Sequence, residues 1–229
     1  MTETPATPRD AASLIVHRQG PGGPEILLGR RRQEARFGPG FFVFPGGAVA
    51  GDDTAVRPAS PLRSEVAAMV GVSCSPAFGR ALALAAVRET YEETGLIVGA
   101  PGDPGAVEDE SWRAMGDAGL APALGLLDYV GRALTPKRRP LRFHARFFMV
   151  EASHLAGALL DEDGELLDLG WYPIDAAREL KLMDVTEFML GEAVDLIAGA
   201  DPARPRHFFT YTDDGPLVER DATAMTPIR

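Results

Sequence analysis

Glu89, Glu92 and Glu93 stand at i, i+3 and i+4 in the stretch Arg88-Glu89-Thr90-Tyr91-Glu92-Glu93-Thr94-Gly95-Leu96. On a helix that spacing brings all three carboxylates to one face. Like charges so placed repel each other and weaken an isolated helix by a few tenths of a kcal/mol, roughly. Such a face asks for a positive partner, and a hard divalent cation with oxygen ligands is the natural candidate. Gly95 supplies the left-handed residue that ends the helix, and Leu96 returns the chain to apolar surroundings.

The elements that must position these groups can be read around them. Ser75-Pro76 is a helix start, a serine cap followed by proline at the first helical position, and it predicts a helix over 76–94. Phe78, Leu82, Ala85, Ala86 and Tyr91 give that helix an apolar stripe. The run 41–44 reads as a short strand entering Pro45-Gly46-Gly47, where paired glycines permit a sharp turn and close approach. Segments 11–18 and 25–31 read as strands joined by the turn-rich run at 20–24. Residues 51–74 change character, with Asp, Pro and Ser punctuation, and are expected to form a surface insertion with a helix near 62–69. Further along, 107–118 reads as a short helix or irregular arm carrying Trp112. Strands are expected at 126–134, 143–151, 166–172 and 207–211, and helices at 173–180 and 185–198. Strands on both sides of a central helix predict an α/β fold with a mixed sheet covered on both faces.

The chain of 229 residues is expected to form one domain over 11–229 behind a loose, Pro-rich tail at 1–10. A net charge of −10 argues against a nucleic-acid-binding surface. Cys74 stands alone, so neither a disulfide framework nor a cysteine metal site is expected. The first residues carry no secretory pattern, and the longest apolar run, 81–87, falls far short of a membrane span. No membrane partner is expected, the predicted location is the cytoplasm, and a homodimer is a compatible assembly. His17, His144, His154 and His207 show no metal spacing and read as structural or exposed.

The pattern Arg-Glu-x-x-Glu-Glu-x-Gly-Leu resembles the C-terminal two-thirds of the Nudix box, G-x5-E-x7-R-E-U-x-E-E-x-G-U, with Thr90 at the first apolar (U) position. The resemblance implies an α/β/α sandwich and a hydrolase acting on nucleoside diphosphates linked to another moiety. It implies Glu89, Glu92 and Glu93 as ligands of Mg²⁺ (or Mn²⁺), with Arg88 orienting the carboxylates. The general base is expected from Glu93 or from Glu165 in a late acidic loop, with Glu162 as runner-up. Gly46-Gly47 fits the family's glycine entrance, but Gly47 to Arg88 spans 41 positions where the pattern has 14. The first glutamate of the box is therefore replaced, displaced or supplied by Asp53 or Glu65. Counting back from Arg88 puts Arg80 in its place.

A second resemblance bears on substrate. Leu27-Leu28-Gly29-Arg30-Arg31-Arg32, then Arg36, Gly40 and Phe44-Pro45-Gly46-Gly47, looks like the signature ahead of the box in coenzyme A diphosphatases, L-L-T-x-R-[SA]-x3-R-x3-G-x3-F-P-G-G. It implies a small-molecule nucleotide substrate, coenzyme A or an acyl-CoA, bound by Arg31, Arg36, Gly46 and Gly47. The run from Leu134 to Phe148 is similar to the branch holding the peroxisomal enzymes and adds Arg142 or Arg146. The competing readings are an ADP-ribose, NADH or nucleotide-sugar diphosphatase and a catalytically silent ligand-binding domain.

Overall fold

A computed structural model describes residues 5–160 and 164–221. In chain order the elements are β1 (Arg9–Gly20), β2 (Gly23–Arg31), β3 (Phe42–Val43), β4 (Gly46–Ala48), α1 (Ser64–Gly71), α2 (Pro76–Thr94), β5 (Leu96–Ile97) and β6 (Gly99–Pro101). There follow α3 (Glu110–Asp117), β7 (Leu120–Pro122), β8 (Asp128–Leu134), β9 (Phe143–Glu151), β10 (Ala156–Gly157), β11 (Leu166–Pro173), α4 (Ile174–Arg178), α5 (Asp184–Ile197), β12 (His207–Thr212) and β13 (Gly215–Arg220). Among the described residues a nine-stranded sheet runs β11-β2-β1-β9-β8-β12-β13, with β3 added to β2 and β4 to β1. β1 pairs parallel with β9 and β12 parallel with β8, and the remaining pairs are antiparallel, so the sheet is mixed.

Period-two alternation sorts the core onto two faces. From β1, Leu14 and Val16 join one core and Ile15 the other; from β9, Phe148 and Val150 oppose Phe147 and Met149. The first core lies under α2, and the second holds Ala177 of α4 with Met189, Leu190 and Ala193 of α5. The result is the expected α/β/α sandwich.

Helix α2 begins and ends as its sequence requires. Ser75 Oγ accepts from Phe78 N at 3.3 Å with Pro76 behind it, and Gly95, at φ 76°, donates its N–H to Tyr91 O at 2.8 Å. Its middle, however, is buried all round rather than along a stripe, since every residue from Ala81 to Val87 is shut from solvent. The cause lies outside the helix. Val56 and, from α1, Val66 and Val70 join the first core beside it, as do Trp112 and Met115 of α3. Residues 51–74 thus form a covering layer rather than the surface excursion expected of them. Thr90, at an apolar position of the motif, is also fully buried, and its hydroxyl is satisfied by donating to Ala86 O at 2.7 Å.

Two boundaries move. β1 starts at Arg9, inside the expected tail, because Arg9 N donates to Arg142 O at 2.9 Å and Asp10 pairs with His144. The final strand is followed by β13 across the turn Asp213-Asp214, which lacks the glycine that marks most two-residue hairpins. No single helix among the described residues is long and apolar enough to cross a membrane.

Candidate active site

Two glycines bring the sheet against α2. β4 lies antiparallel to β1, with Ser13 opposite Gly46 and Ala12 opposite Gly47. At Gly46 (φ +156°) an added Cβ would stand 2.4 Å from Ala12 O, and at Gly47 it would stand 2.4 Å from the Glu89 carboxylate. Only glycine lets the strand pass this close to the acidic helix face. The approach is used: Gly46 N donates to Glu93 Oε2 at 2.8 Å.

On the adjoining side of α2, Arg88 is 5% exposed and gathers acids around it. Its Nε and Nη2 donate to the two oxygens of Asp53 at 2.9 and 3.2 Å, and Nη2 also reaches Ala48 O at 2.9 Å. Nη1 donates to both oxygens of Glu92, at 3.2 and 3.0 Å, and stands 2.9 Å from Glu89 Oε1. Burial alone would lower the arginine pKa, but Asp53, Glu89 and Glu92 outweigh it and hold the guanidinium charged. Asp53 is fully buried and also accepts Ala50 N at 2.8 Å. Of the two acids weighed for the first position of the motif, it is the one that meets Arg88. Glu65 sits on α1 with Arg63 instead, and Arg80 donates to Thr54 O at 2.9 Å.

The acidic face is electrostatically short of positive charge. Burial pushes Glu89 up to about 7, helped by Glu92 and Glu165 and opposed by Arg88. Burial likewise pushes Glu93, 3% exposed, up to about 8, with Glu89 and Glu165 adding to it and the Gly46 N–H and Arg31 opposing it. Those are the conditions under which carboxylate oxygens favour a hard cation. Among the described residues no three acidic, His or Cys side chains already converge on one coordination point. Glu92 is turned to Arg88 and Ser111, and Glu93 to Gly46.

Glu165 is exposed on the loop before β11, and its charge is felt at both Glu89 and Glu93. That loop is tied by Arg32, whose Nη2 donates to Gly164 O at 2.8 Å, while Arg30 pairs with Asp168 at 2.6 Å. These two arginines of the Arg30-Arg31-Arg32 run therefore hold β11 and its approach. Glu162 lies outside the described residues.

From Gly46 and Gly47 a cleft of about 570 Å³ opens on the α4/α5 side of the sheet. Arg31 and Arg36 line it, and its walls are largely apolar, with Phe41, Phe143, Leu182 and Met183 among them. Arg142 does not line it. That side chain is 7% exposed and donates through Nε to Thr135 O (3.2 Å) and through Nη1 to Ala6 O (2.8 Å), so it is tied into the fold. Arg146 is 1% exposed and bound to Asp10 at 2.9 Å, so it too is structural. Arg139, on the same turn as Arg142, lines the cleft in its place. Arginines at 138, 139 and 142 look alike in sequence, and only the strand register decides which are buried.

No protein-family model matches the chain. Among solved structures it is similar to a NUDIX hydrolase from Alicyclobacillus acidocaldarius, at 30% identity over 81% of this chain and 90% of that one, with a TM-score of 0.61. A MutT mutator protein from Bacillus halodurans matches at 13% identity over 92% and 97%, with a TM-score of 0.51. The NUDIX domain of Shewanella oneidensis NrtR, complexed with ADP ribose, matches at 11% identity over 84% and 90%, with a TM-score of 0.50. The latter two share the fold. The similarity to that NUDIX hydrolase identifies the α/β/α sandwich, with its acidic helix under a glycine strand, as a hydrolase of phosphoric anhydrides. Given the 30% identity over most of both chains, this protein belongs to the Nudix hydrolases.

Proposed function

We propose that this enzyme cleaves the diphosphate bond of coenzyme A or an acyl-CoA, giving 3′,5′-ADP and a phosphopantetheine product. One observation carries the reading. The cleft lined by Arg31, Arg36 and apolar walls reaches Gly46, whose N–H holds Glu93, and Gly47, which lies beside the Glu89 carboxylate, while the acids themselves stand behind these glycines and outside its lining. Its volume of about 570 Å³ is in the range of small-molecule sites. Guanidinium groups suit the phosphates of such a substrate, and the apolar walls suit its pantetheine or acyl arm.

In this reading Glu89, Glu92 and Glu93 would hold Mg²⁺ or Mn²⁺, which when bound neutralises phosphoryl charge and acidifies a coordinated water. Arg88 keeps the acidic face oriented while itself locked to Asp53. Gly46 N–H fixes one oxygen of Glu93. Glu165 is the general base: it is exposed beside the acidic face, and it takes the proton of the water that attacks phosphorus as the P–O bond to the leaving phosphate breaks. Arg31 and Arg36 hold the phosphates in line. We read the chain from Arg9 onward as one domain, with residues 51–74 as an insertion within the box.

ADP-ribose, NADH or a nucleotide sugar is the second reading, because Phe37 and Phe143, ring centroids 5.1 Å apart, offer the cleft aromatic faces on which a base could stack. The purified protein should be incubated with Mg²⁺ and, separately, coenzyme A, an acyl-CoA, ADP-ribose and NADH, with products separated and identified. Release of 3′,5′-ADP as the fastest reaction is the expected result. Good ADP-ribose turnover without coenzyme A turnover would overturn the substrate assignment.

A further inference from the structure

Glu92 is held from two directions by neighbouring residues of one short turn. Asp53 grips Arg88, and Arg88 donates to both Glu92 oxygens. Asp52, next to it, accepts Glu108 N at 3.1 Å and Asp109 N at 2.8 Å through Oδ2, which fixes the start of α3. Asp109 caps that helix by accepting from Ser111 N at 2.9 Å and Trp112 N at 3.3 Å. Trp112 and Met115 are fully buried and lock α3 against α2. The hydroxyl that this arrangement delivers, Ser111 Oγ, donates to Glu92 Oε1 at 2.7 Å.

A carboxylate has about four lone-pair sites. Arg88 meets two of them and Ser111 a third, all in fixed directions, so one remains on a side chain that is otherwise near the surface. We infer that Ser111 is a positioning residue for Glu92: its hydroxyl fixes Oε1 while Arg88 holds both oxygens from the other side, which sets the rotamer from which the carboxylate reaches a cation. The inference rests on Glu92 being a metal ligand, as proposed above. Partners of this kind, one hydrogen bond behind a ligand, change metal affinity roughly 10- to 100-fold when removed.

The test is Mn²⁺ titration of the intact protein followed by loss of the free-ion electron paramagnetic resonance signal, together with thermal unfolding in chelator. Ser111→Ala should weaken Mn²⁺ binding roughly 10-fold with little change in metal-free melting temperature, and Ser111→Thr, which keeps the hydroxyl, should restore most of it. Wild-type affinity in Ser111→Ala, or a loss that follows the melting temperature in both variants, would overturn the inference. Glu92→Gln separates the two levels. If it abolishes tight Mn²⁺ binding while Ser111→Ala does not weaken it, only the positioning role falls. If Glu92→Gln leaves Mn²⁺ affinity intact, the metal assignment falls and the inference with it.

Discussion

Arg88 and Asp53, 35 residues apart in the chain, form a two-pronged ion pair at 2.9 and 3.2 Å in which the carboxylate is wholly shut from water. Removing one partner of such a pair leaves an uncompensated buried charge and costs about 3–5 kcal/mol. Asp53→Ala should therefore lose stability of that order in urea unfolding and should lower activity, since Arg88 would no longer be anchored behind Glu92. Glu65→Ala, removing the exposed alternative acid, should change neither. Equal effects of the two substitutions would contradict the assignment.

Gly47→Ala should be far more damaging to turnover than its size suggests. The added methyl would meet the Glu89 carboxylate at 2.4 Å, forcing either the strand or the acid to move. Displacements near 1 Å in a catalytic constellation cost on the order of 100-fold. Steady-state kinetics should show that loss at unchanged circular dichroism, and a variant within a few-fold of wild type would refute the close packing.

The raised pKa values of Glu89 (about 7) and Glu93 (about 8) set a sign for pH dependence. For a carboxyl whose folded pKa lies above its unfolded one, the folded state binds more protons between the two values, so stability falls as pH rises through that window. Metal-free protein should melt at progressively lower temperature from about pH 6.5 to about pH 8, above the range in which His17 and His144, held below their ordinary values by burial, add stability as pH rises. Added Mg²⁺ competes with those protons and should stabilise more at pH 8.5 than at pH 6, which differential scanning calorimetry can follow. A melting temperature that rises over that window in chelator would contradict the burial of these acids.

Arg36 and Arg142 separate binding from folding. Arg36, exposed on the cleft wall, should on substitution by alanine raise KM roughly 10-fold with stability unchanged. Arg142→Ala should instead lower the melting temperature, because it leaves the Thr135 and Ala6 carbonyls without their donor, and KM should stay put. The opposite pattern would restore Arg142 to the substrate.

Local chemistry was legible where it depends on neighbours in the chain. The caps of α2, the grouping of Glu89, Glu92 and Glu93 and the glycine entrance at Gly46-Gly47 all follow from short-range spacing, and the layered sheet follows from alternation in β1 and β9. What could not be read depends on contacts between distant segments. Nothing in the 51–74 composition says that Val66 and Val70 cover α2, or that Asp53 rather than Glu65 meets Arg88. Ser111 is an ordinary serine until α3 folds onto the acidic face. Arg142 and Arg139 share one basic turn, and burial alone distinguishes them.

The central claim is that the acidic face of α2 carries phosphoanhydride hydrolysis, and Glu93→Gln tests it most directly. Glutamine keeps an oxygen for the Gly46 N–H but removes the buried charge, so the fold should hold and the melting temperature in chelator at pH 8 should stay level or rise. Product formation from the best-cleaved member of the substrate panel, measured with saturating Mg²⁺, should fall by roughly 1000-fold, about 4 kcal/mol of transition-state stabilisation. A Glu93→Gln enzyme that turns over substrate at near the wild-type rate would contradict the account.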